Sequence, residues 1–387
     1  MNTNAATGEP AGIAVPREAR DRDRRYLFGP FVDFFCLGGV SLLILPLLLL
    51  VPASRYELQF SAFMLLLANF INHPHFAHSY QLFYRGFRSK AFTRELGAGM
   101  QARYLFSGIG VPILLAAFFA YCILRGDVKL LGQGGNIMAL FVGWHYVKQG
   151  YGMLMLDAAL KRNFFRETDK KILLVNSYAV WIAAWLGANA YVSSRQMAGL
   201  QFYTFDFPQW FVVAAELAAL ATSAAAVWAI FQHWRSSGSL LVNGVMAYAV
   251  SLYAWLLFVR FNPLWIIVVP ALHSLQYLIV VWRFELNVGR SEVAHAHTGS
   301  TSVLARLLGS ELAAHLVLFA IGGLSLGFIG FWGLPMLLNT YMPYDQALFG
   351  GALFVFVFWI FINVHHYFID NVMWRRENPD TRRFLFG

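Results

Sequence analysis

The segment from Tyr104 to Leu124, YLFSGIGVPILLAAFFAYCIL, decides the fold, because its 21 residues carry no charged side chain and lie between Arg103 and Arg125. A helix rises about 1.5 Å per residue, so this segment is long enough to cross the roughly 30 Å hydrocarbon core of a bilayer. Its length and composition predict a transmembrane helix.

Apolar runs of similar length recur along the whole chain. The sequence is 58% hydrophobic and 13% charged, about half the charged fraction of a soluble domain. We therefore expect an all-α, polytopic transmembrane helix bundle of about ten spans. These spans are predicted at about 31–52, 58–84, 104–124, 134–156, 172–192, 210–232, 240–259, 263–284, 311–331 and 348–371.

Basic residues alternate between the connections of these runs. Five follow the second run and five follow the fourth, whereas Arg55, Arg195 and Arg260 are alone in the connections after the first, fifth and seventh runs. The positive-inside rule then places both termini in the cytoplasm. We expect a flexible basic tail over 1–30, a transmembrane domain over 31–374 and a short basic tail over 375–387. The predicted location is the bacterial cytoplasmic membrane, and the net charge of +9 is explained without nucleic acid.

Four of the predicted spans carry polar motifs, at 69–81, 144–149, 273–277 and 363–370. All four spans run from the outside to the inside, and each motif lies roughly 7–12 residues before the cytoplasmic boundary, so at 1.5 Å per residue the imidazoles share one depth. Ionisable groups inside a span mark functional sites by default. The candidate metal ligands are His73, His75, His78, His145, His273, His365 and His366.

Hydrogen-bonding side chains lie one helical turn from these histidines and share their faces. Such groups fix the tautomer of a ligand imidazole. Gln149, Gln276 and Asn72 are the candidate cofactor-binding residues, and Pro74 offers a bend that re-aims His73. The candidate catalytic residues are Asp370, Lys148 and Tyr277. Asp370 is interpreted as a metal ligand or as a hydrogen-bond acceptor beside the ligands. A buried ion pair between Lys148 and Asp370 is the alternative interpretation.

Imidazole together with carboxylate favours iron, copper or zinc over magnesium or calcium. The two cysteines, Cys36 and Cys122, both lie in apolar runs and predict neither a disulfide framework nor a thiolate cluster. The number of imidazoles is too large for one tetrahedral zinc and is enough for two metal ions.

In residue type and depth, the four motif helices resemble the histidine-rich membrane non-haem di-iron enzymes, which include desaturases, hydroxylases and alkane monooxygenases. The resemblance implies two irons near the cytoplasmic face, oxygen activation and attack on a C–H bond of a lipid or other apolar substrate. The sequence has no nucleotide-binding glycine loop, so we expect an external electron donor.

Two other classes of function remain open on the sequence. Histidines on facing helices also ligate haem, as in a membrane electron carrier or oxidase. A proton-coupled transporter is the other class, with Lys148, Asp370 and the histidines as a proton relay.

Overall fold

The computed structural model describes residues 25–50, 53–93, 96–191, 196–197, 200–201, 203–257, 265–295 and 303–386. Most of the predicted N-terminal tail, residues 1–24, lies outside this part of the chain, as do Arg195 and Arg260. The described residues are almost entirely helical, which confirms the all-α prediction, and one short hairpin pairs Gln196 with Gln201.

The helices and strands follow one another in a simple order along the chain. They are α1 Pro30–Phe34, α2 Val40–Leu50, α3 Ala53–Ala68, α4 Asn72–Tyr84, α5 Phe87–Phe92, α6 Ala98–Leu105, α7 Val111–Arg125, α8 Val128–Leu160, α9 Glu167–Tyr191, β1 Gln196–Met197, β2 Leu200–Gln201, α10 Gln209–Ser237, α11 Val242–Ala249, α12 Trp255–Leu257, α13 Trp265–His295, α14 Val303–Leu308, α15 Glu311–Phe328, α16 Leu334–Tyr341, α17 Gln346–Phe349, α18 Leu353–Met373 and α19 Pro379–Phe386.

Seven helical stretches within the described residues are long and apolar enough to cross a membrane, so the chain is a membrane protein. They are Pro30–Leu48, Ala98–Arg125, Glu167–Ala190, Gln209–Ser237, Ile267–His295, Glu311–Tyr341 and Leu353–Met373.

The other three predicted spans have helices of a different character. The second is divided into α3 and α4 by a turn at residues 69–71. The fourth lies within the 33-residue helix α8, whose middle carries the polar motif of residues 144–149. The seventh corresponds to a shorter apolar helix, Val242–Ala254. Length and composition alone therefore mark seven spans rather than ten.

Among the described residues, π-helical turns lie at Phe106–Gly110, Val250–Ala254 and Ile329–Gly333, and the segment Phe35–Gly39 is kinked at Gly38, whose φ is 156°. A π-turn changes the i→i−4 hydrogen-bond pattern and is frequent at functional sites. Two carbonyls at these interruptions accept side-chain hydrogen bonds from motif helices: Leu37 O accepts from Gln276 Nε2 at 2.6 Å and Ser107 O from His365 Nε2 at 2.9 Å. The turns thus tie neighbouring helices to the motif helices.

Helix α15 packs closely on α4 because glycines one turn apart face it. A Cβ atom added at Gly323 would lie 2.3 Å from Cε1 of His78, and one added at Gly327 would lie 3.1 Å from Cβ of His73. Only glycine permits this approach at Gly323 without movement of the imidazole. The contact fixes the rotation of α4 about its axis and thereby decides which of its histidines face the centre of the bundle.

Candidate metal centre

Four helices that are distant in sequence bring one imidazole each to a common point. His75 of α4, His145 of α8, His273 of α13 and His366 of α18 are all buried, and one potential ligand atom from each lies within 4.8 Å of the others. Their ring centroids are 4.5–6.5 Å apart. The arrangement joins the four polar motifs into one centre.

Local helical geometry selects the inward-facing residues of α4. Asn72, His75 and Ser79 lie within about 60° of one another around the helix axis at 100° per residue. Ser79 Oγ lies 2.7 Å from Nδ1 of His366, so this stripe faces α18. His78 is rotated farther around the axis and stacks on Phe319 at 4.2 Å.

The nitrogen atoms at the centre have no hydrogen-bond partner in the described part of the chain. This holds for Nε2 of His75, His145 and His366 and for both ring nitrogens of His273. Buried polar atoms are nearly always paired, so a cluster of unpaired ones needs an explanation. Nitrogen lone pairs directed into a shared space are the arrangement that a metal ion requires.

Two serines set the tautomers of two of these imidazoles. Ser79 donates its single hydroxyl proton to Phe76 O at 2.6 Å, so its oxygen accepts from Nδ1–H of His366 at 2.7 Å. Ser274 in the same way contacts Pro270 O at 2.7 Å and Nδ1 of His75 at 3.0 Å. A carbonyl only accepts hydrogen bonds. Both imidazoles therefore keep Nε2 unprotonated, as a metal ligand must be.

Asp370 lies at the edge of the four-histidine group. Its Oδ2 has no hydrogen-bond partner and is 3.2 Å from Nε2 of His366 and 3.8 Å from Nε2 of His145. Two atoms that each bind one ion at about 2.1 Å lie about 3–3.5 Å apart, so the shorter distance suits ligation. The other oxygen accepts from Tyr277 OH at 2.8 Å, and Trp374 Nε1 donates to the same hydroxyl at 3.3 Å.

The three predicted amides support the centre from outside. Gln149 donates to the carbonyl of His273 at 3.2 Å and to Oε1 of Gln276 at 2.8 Å, which links α8 to α13. Asn72 Oδ1 lies 2.8 Å from Ser274 Oγ and is an alternative acceptor to Pro270 O for its single hydroxyl proton, so that either contact leaves the oxygen free to accept from His75. These contacts join the helices that carry the four imidazoles. A role of the three amides in cofactor binding stays a prediction.

Three of the seven predicted ligands are not brought into the group. His73 stacks on Phe331 at 4.2 Å, and His78 Nδ1 is hydrogen-bonded to Gln81 at 2.7 Å. His365 has both ring nitrogens engaged, with the hydroxyl of Tyr80 at 2.8 Å and with Ser107 O. The reason is helical rotation, since adjacent residues point about 100° apart. His365 therefore faces away from the point that His366 faces.

Lys148 also lies elsewhere than the ion-pair interpretation places it. Within the described residues, no ion pair joins Lys148 to Asp370 within 4.0 Å, and the ammonium instead lies 6.0 Å from the ring centroid of Tyr151. Lys148 is one turn after His145, but its side chain is rotated towards the edge of the bundle. It is not part of the four-histidine group.

Sequence reasoning missed the two serines that fix the imidazoles. A usable signal was present, because Ser79 directly follows His78 and Ser274 directly follows His273 in otherwise apolar helices. Each serine serves a histidine of another helix, a pairing that only the helix packing defines.

Four imidazoles with a nearby carboxylate form a set of nitrogen and oxygen ligands for a first-row transition metal or zinc. Comparisons with models of known protein families, with curated proteins and with solved structures give no match. The interpretation of this centre therefore depends on its own geometry.

Proposed function

We propose that the chain is an integral membrane, non-haem metal oxidoreductase that acts on a lipid or other apolar substrate. One observation carries the proposal: four buried imidazoles from four helices have unpaired nitrogens, and one potential ligand atom from each lies within 4.8 Å of the others. His75, His145, His273 and His366 are the ligands in this proposal, and Asp370 is a fifth ligand or holds a proton beside them.

The geometry favours a single ion over the two irons that the resemblance implies. The four ligand atoms lie within 4.8 Å of one another, whereas His78 and His365, which a second ion would need, have ring nitrogens that are already hydrogen-bonded. Iron is the first candidate because of the resemblance to non-haem iron enzymes, and copper and zinc suit the same donors.

A bare ion also agrees better with the surroundings than a haem does. The rings of Tyr146, Tyr277 and Tyr367 lie 4.3–4.5 Å from imidazoles of the group. These tyrosine rings occupy space beside the imidazoles that a porphyrin between two axial histidines would need.

The protein's own residues have distinct parts in this proposal. The imidazoles would hold a redox-active ion, which would supply oxygen activation, with molecular oxygen as the oxidant and an external donor as the source of electrons. Ser79 and Ser274 keep ligand nitrogens unprotonated, and Tyr277 orients the Asp370 carboxylate. The long apolar helices around the centre make the bilayer the natural source of the substrate.

Metal content decides the proposal. Protein purified in mild detergent after growth with added iron, copper and zinc is analysed by elemental mass spectrometry and visible spectroscopy. We expect about one ion per chain and no Soret band, with loss of the ion in His366→Ala and His145→Ala. The matched controls are His365→Ala and His78→Ala, which remove buried imidazoles outside the group and should retain the ion.

Each other outcome has a defined meaning. About two ions per chain would support the di-iron arrangement, and a Soret band would support a haem protein. Equal metal loss in His365→Ala and His366→Ala would contradict the assignment of ligands. Absence of metal from the wild type would turn attention to proton-coupled transport by the same cluster.

We also propose ten membrane crossings with both termini in the cytoplasm of a bacterial inner membrane, on the basis of the alternating basic residues. In a background without Cys36 and Cys122, single cysteines at Pro343→Cys and Arg376→Cys are treated with a membrane-impermeant maleimide in spheroplasts. Position 343 should react at once and position 376 only after permeabilisation. The opposite labelling pattern would show that the topology is inverted.

A further inference from the structure

Two half-buried cations near the metal centre lack an acidic partner. Lys148 and Arg375 are both partly exposed, and within the described residues neither has a carboxylate within 4.0 Å. Arg375 donates through Nε to the carbonyl of Asn371 at 2.9 Å. Lys148 lies on α8 and Arg375 follows the C-terminal end of α18, and these two helices pack against each other. Charges withdrawn from water are normally paired, so this arrangement favours binding of an anion.

The cations lie at one end of a partly exposed seam between α8 and α18. On α8, Phe141, Trp144 and Lys148 are partly exposed and Gly152 is exposed, although His145 on the same helix is buried. A Cβ atom added at Gly152 would have no atom within 4 Å. The seam therefore has open space beside the lysine.

Aromatic side chains continue the seam away from the cations. Phe141 of α8 lies 5.5 Å from Phe368 of α18 and 6.4 Å from Trp144, measured between ring centroids. Phe141 and Trp144 precede Lys148 by seven and four residues, so this apolar part begins about 6 Å from the lysine along the axis and extends to about 10 Å. A hydrocarbon chain of an amphiphile fits such a surface.

The seam also runs beside the metal centre. His145 precedes Lys148 by three residues on α8, which is about 4.5 Å along the helix axis. Tyr367, which precedes Phe368 on α18, stacks on His145 with a centroid distance of 4.5 Å. A chain that extends from the cations along Trp144 and Phe141 therefore passes the level of the metal ligands.

We propose that this seam binds an amphiphile with an anionic headgroup, a carboxylate or a phosphate, and a hydrocarbon tail. Lys148 and Arg375 bind the headgroup, and the aromatic part between α8 and α18 receives the tail. The amphiphile is the substrate class of the metal centre, a step that rests on the proposed function. The charge of the headgroup sets the position of the tail relative to His145.

Binding is measured with a fluorescent long-chain fatty acid and with its methyl ester, on full-length protein in a neutral detergent. We expect the wild type to bind the acid at least tenfold more tightly than the ester. Lys148→Met and Arg375→Gln should each lose most of this preference while binding the ester as the wild type does. The matched control is Arg376→Gln, which removes an exposed charge next to the site and should keep the preference.

Several results would overturn the proposal. Equal binding of the acid and the ester by the wild type would show that there is no headgroup site. If Arg376→Gln loses the preference for the acid as strongly as Lys148→Met does, the preference comes from general surface charge. Competition by inorganic phosphate as strong as that by a long-chain phosphate ester would indicate a site for free anions. Metal content is measured on the same samples. Loss of acid preference with retained metal in Lys148→Met supports the headgroup site, whereas absence of metal with retained acid binding contradicts only the proposed redox function.

Discussion

The Ser79→Ala substitution tests whether the centre depends on a fixed imidazole tautomer. In the wild type, Ser79 Oγ accepts from Nδ1–H of His366 at 2.7 Å, and both side chains are fully buried. Without the hydroxyl, His366 moves its proton to Nε2, where Oδ2 of Asp370, 3.2 Å away, becomes an acceptor. The atom that should bind the metal then carries a proton.

In the variant, metal binding must displace the proton on Nε2 of His366 and break its hydrogen bond to Asp370. A hydrogen bond to a carboxylate contributes about 1.5–3 kcal/mol, and loss of a group that orients a ligand histidine typically weakens metal affinity by about 10- to 100-fold. We expect Ser79→Ala to weaken metal binding by that factor, which equals about 1.4–2.8 kcal/mol. The assay is competition with a chelator of known affinity, with the bound metal quantified by mass spectrometry.

Ser177→Ala is the matched control for this substitution. Ser177 is also fully buried in a helix and donates to a backbone carbonyl, Leu173 O at 2.9 Å, but it lies on α9 outside the metal centre. Both variants lose a buried hydroxyl, so their thermal stabilities should fall similarly. Equal metal affinity in the two variants would refute the tautomer argument.

Two further predictions concern the carboxylate and the packing of α4. Tyr277→Phe removes the donor to Oδ1 of Asp370 and should weaken metal affinity by about tenfold in the same chelator assay, with wild-type affinity as the contradicting result. Gly323→Ala places a methyl group against the ring of His78 and should lower the free energy of unfolding in detergent by about 1–3 kcal/mol. Gly99→Ala, where an added Cβ has no atom within 4 Å, is its control, and equal stability of the two variants would show that α15 does not pack this tightly on α4.

The sequence by itself determined the class of protein and the members of the polar motifs. Runs such as Tyr104–Leu124 must be helical in a bilayer, because the backbone has no water with which to form hydrogen bonds there. The all-α prediction therefore followed from the sequence. The four motif helices were identifiable because each places imidazoles within an apolar run. The number of crossings stays a prediction, since helix breaks such as residues 69–71 are not visible in hydropathy.

Only the tertiary structure decided which imidazoles meet. Periodicity shows that His365 and His366 point about 100° apart, but it does not show which of them faces the other motif helices. The rotation of each helix is set by contacts with its neighbours, as where Gly323 and Gly327 let α15 approach α4. That packing directs His75 inwards and leaves His73 and His78 against aromatic rings. Four of the seven predicted ligands therefore converge, because convergence depends on helix rotations that are fixed by residues far apart in the sequence.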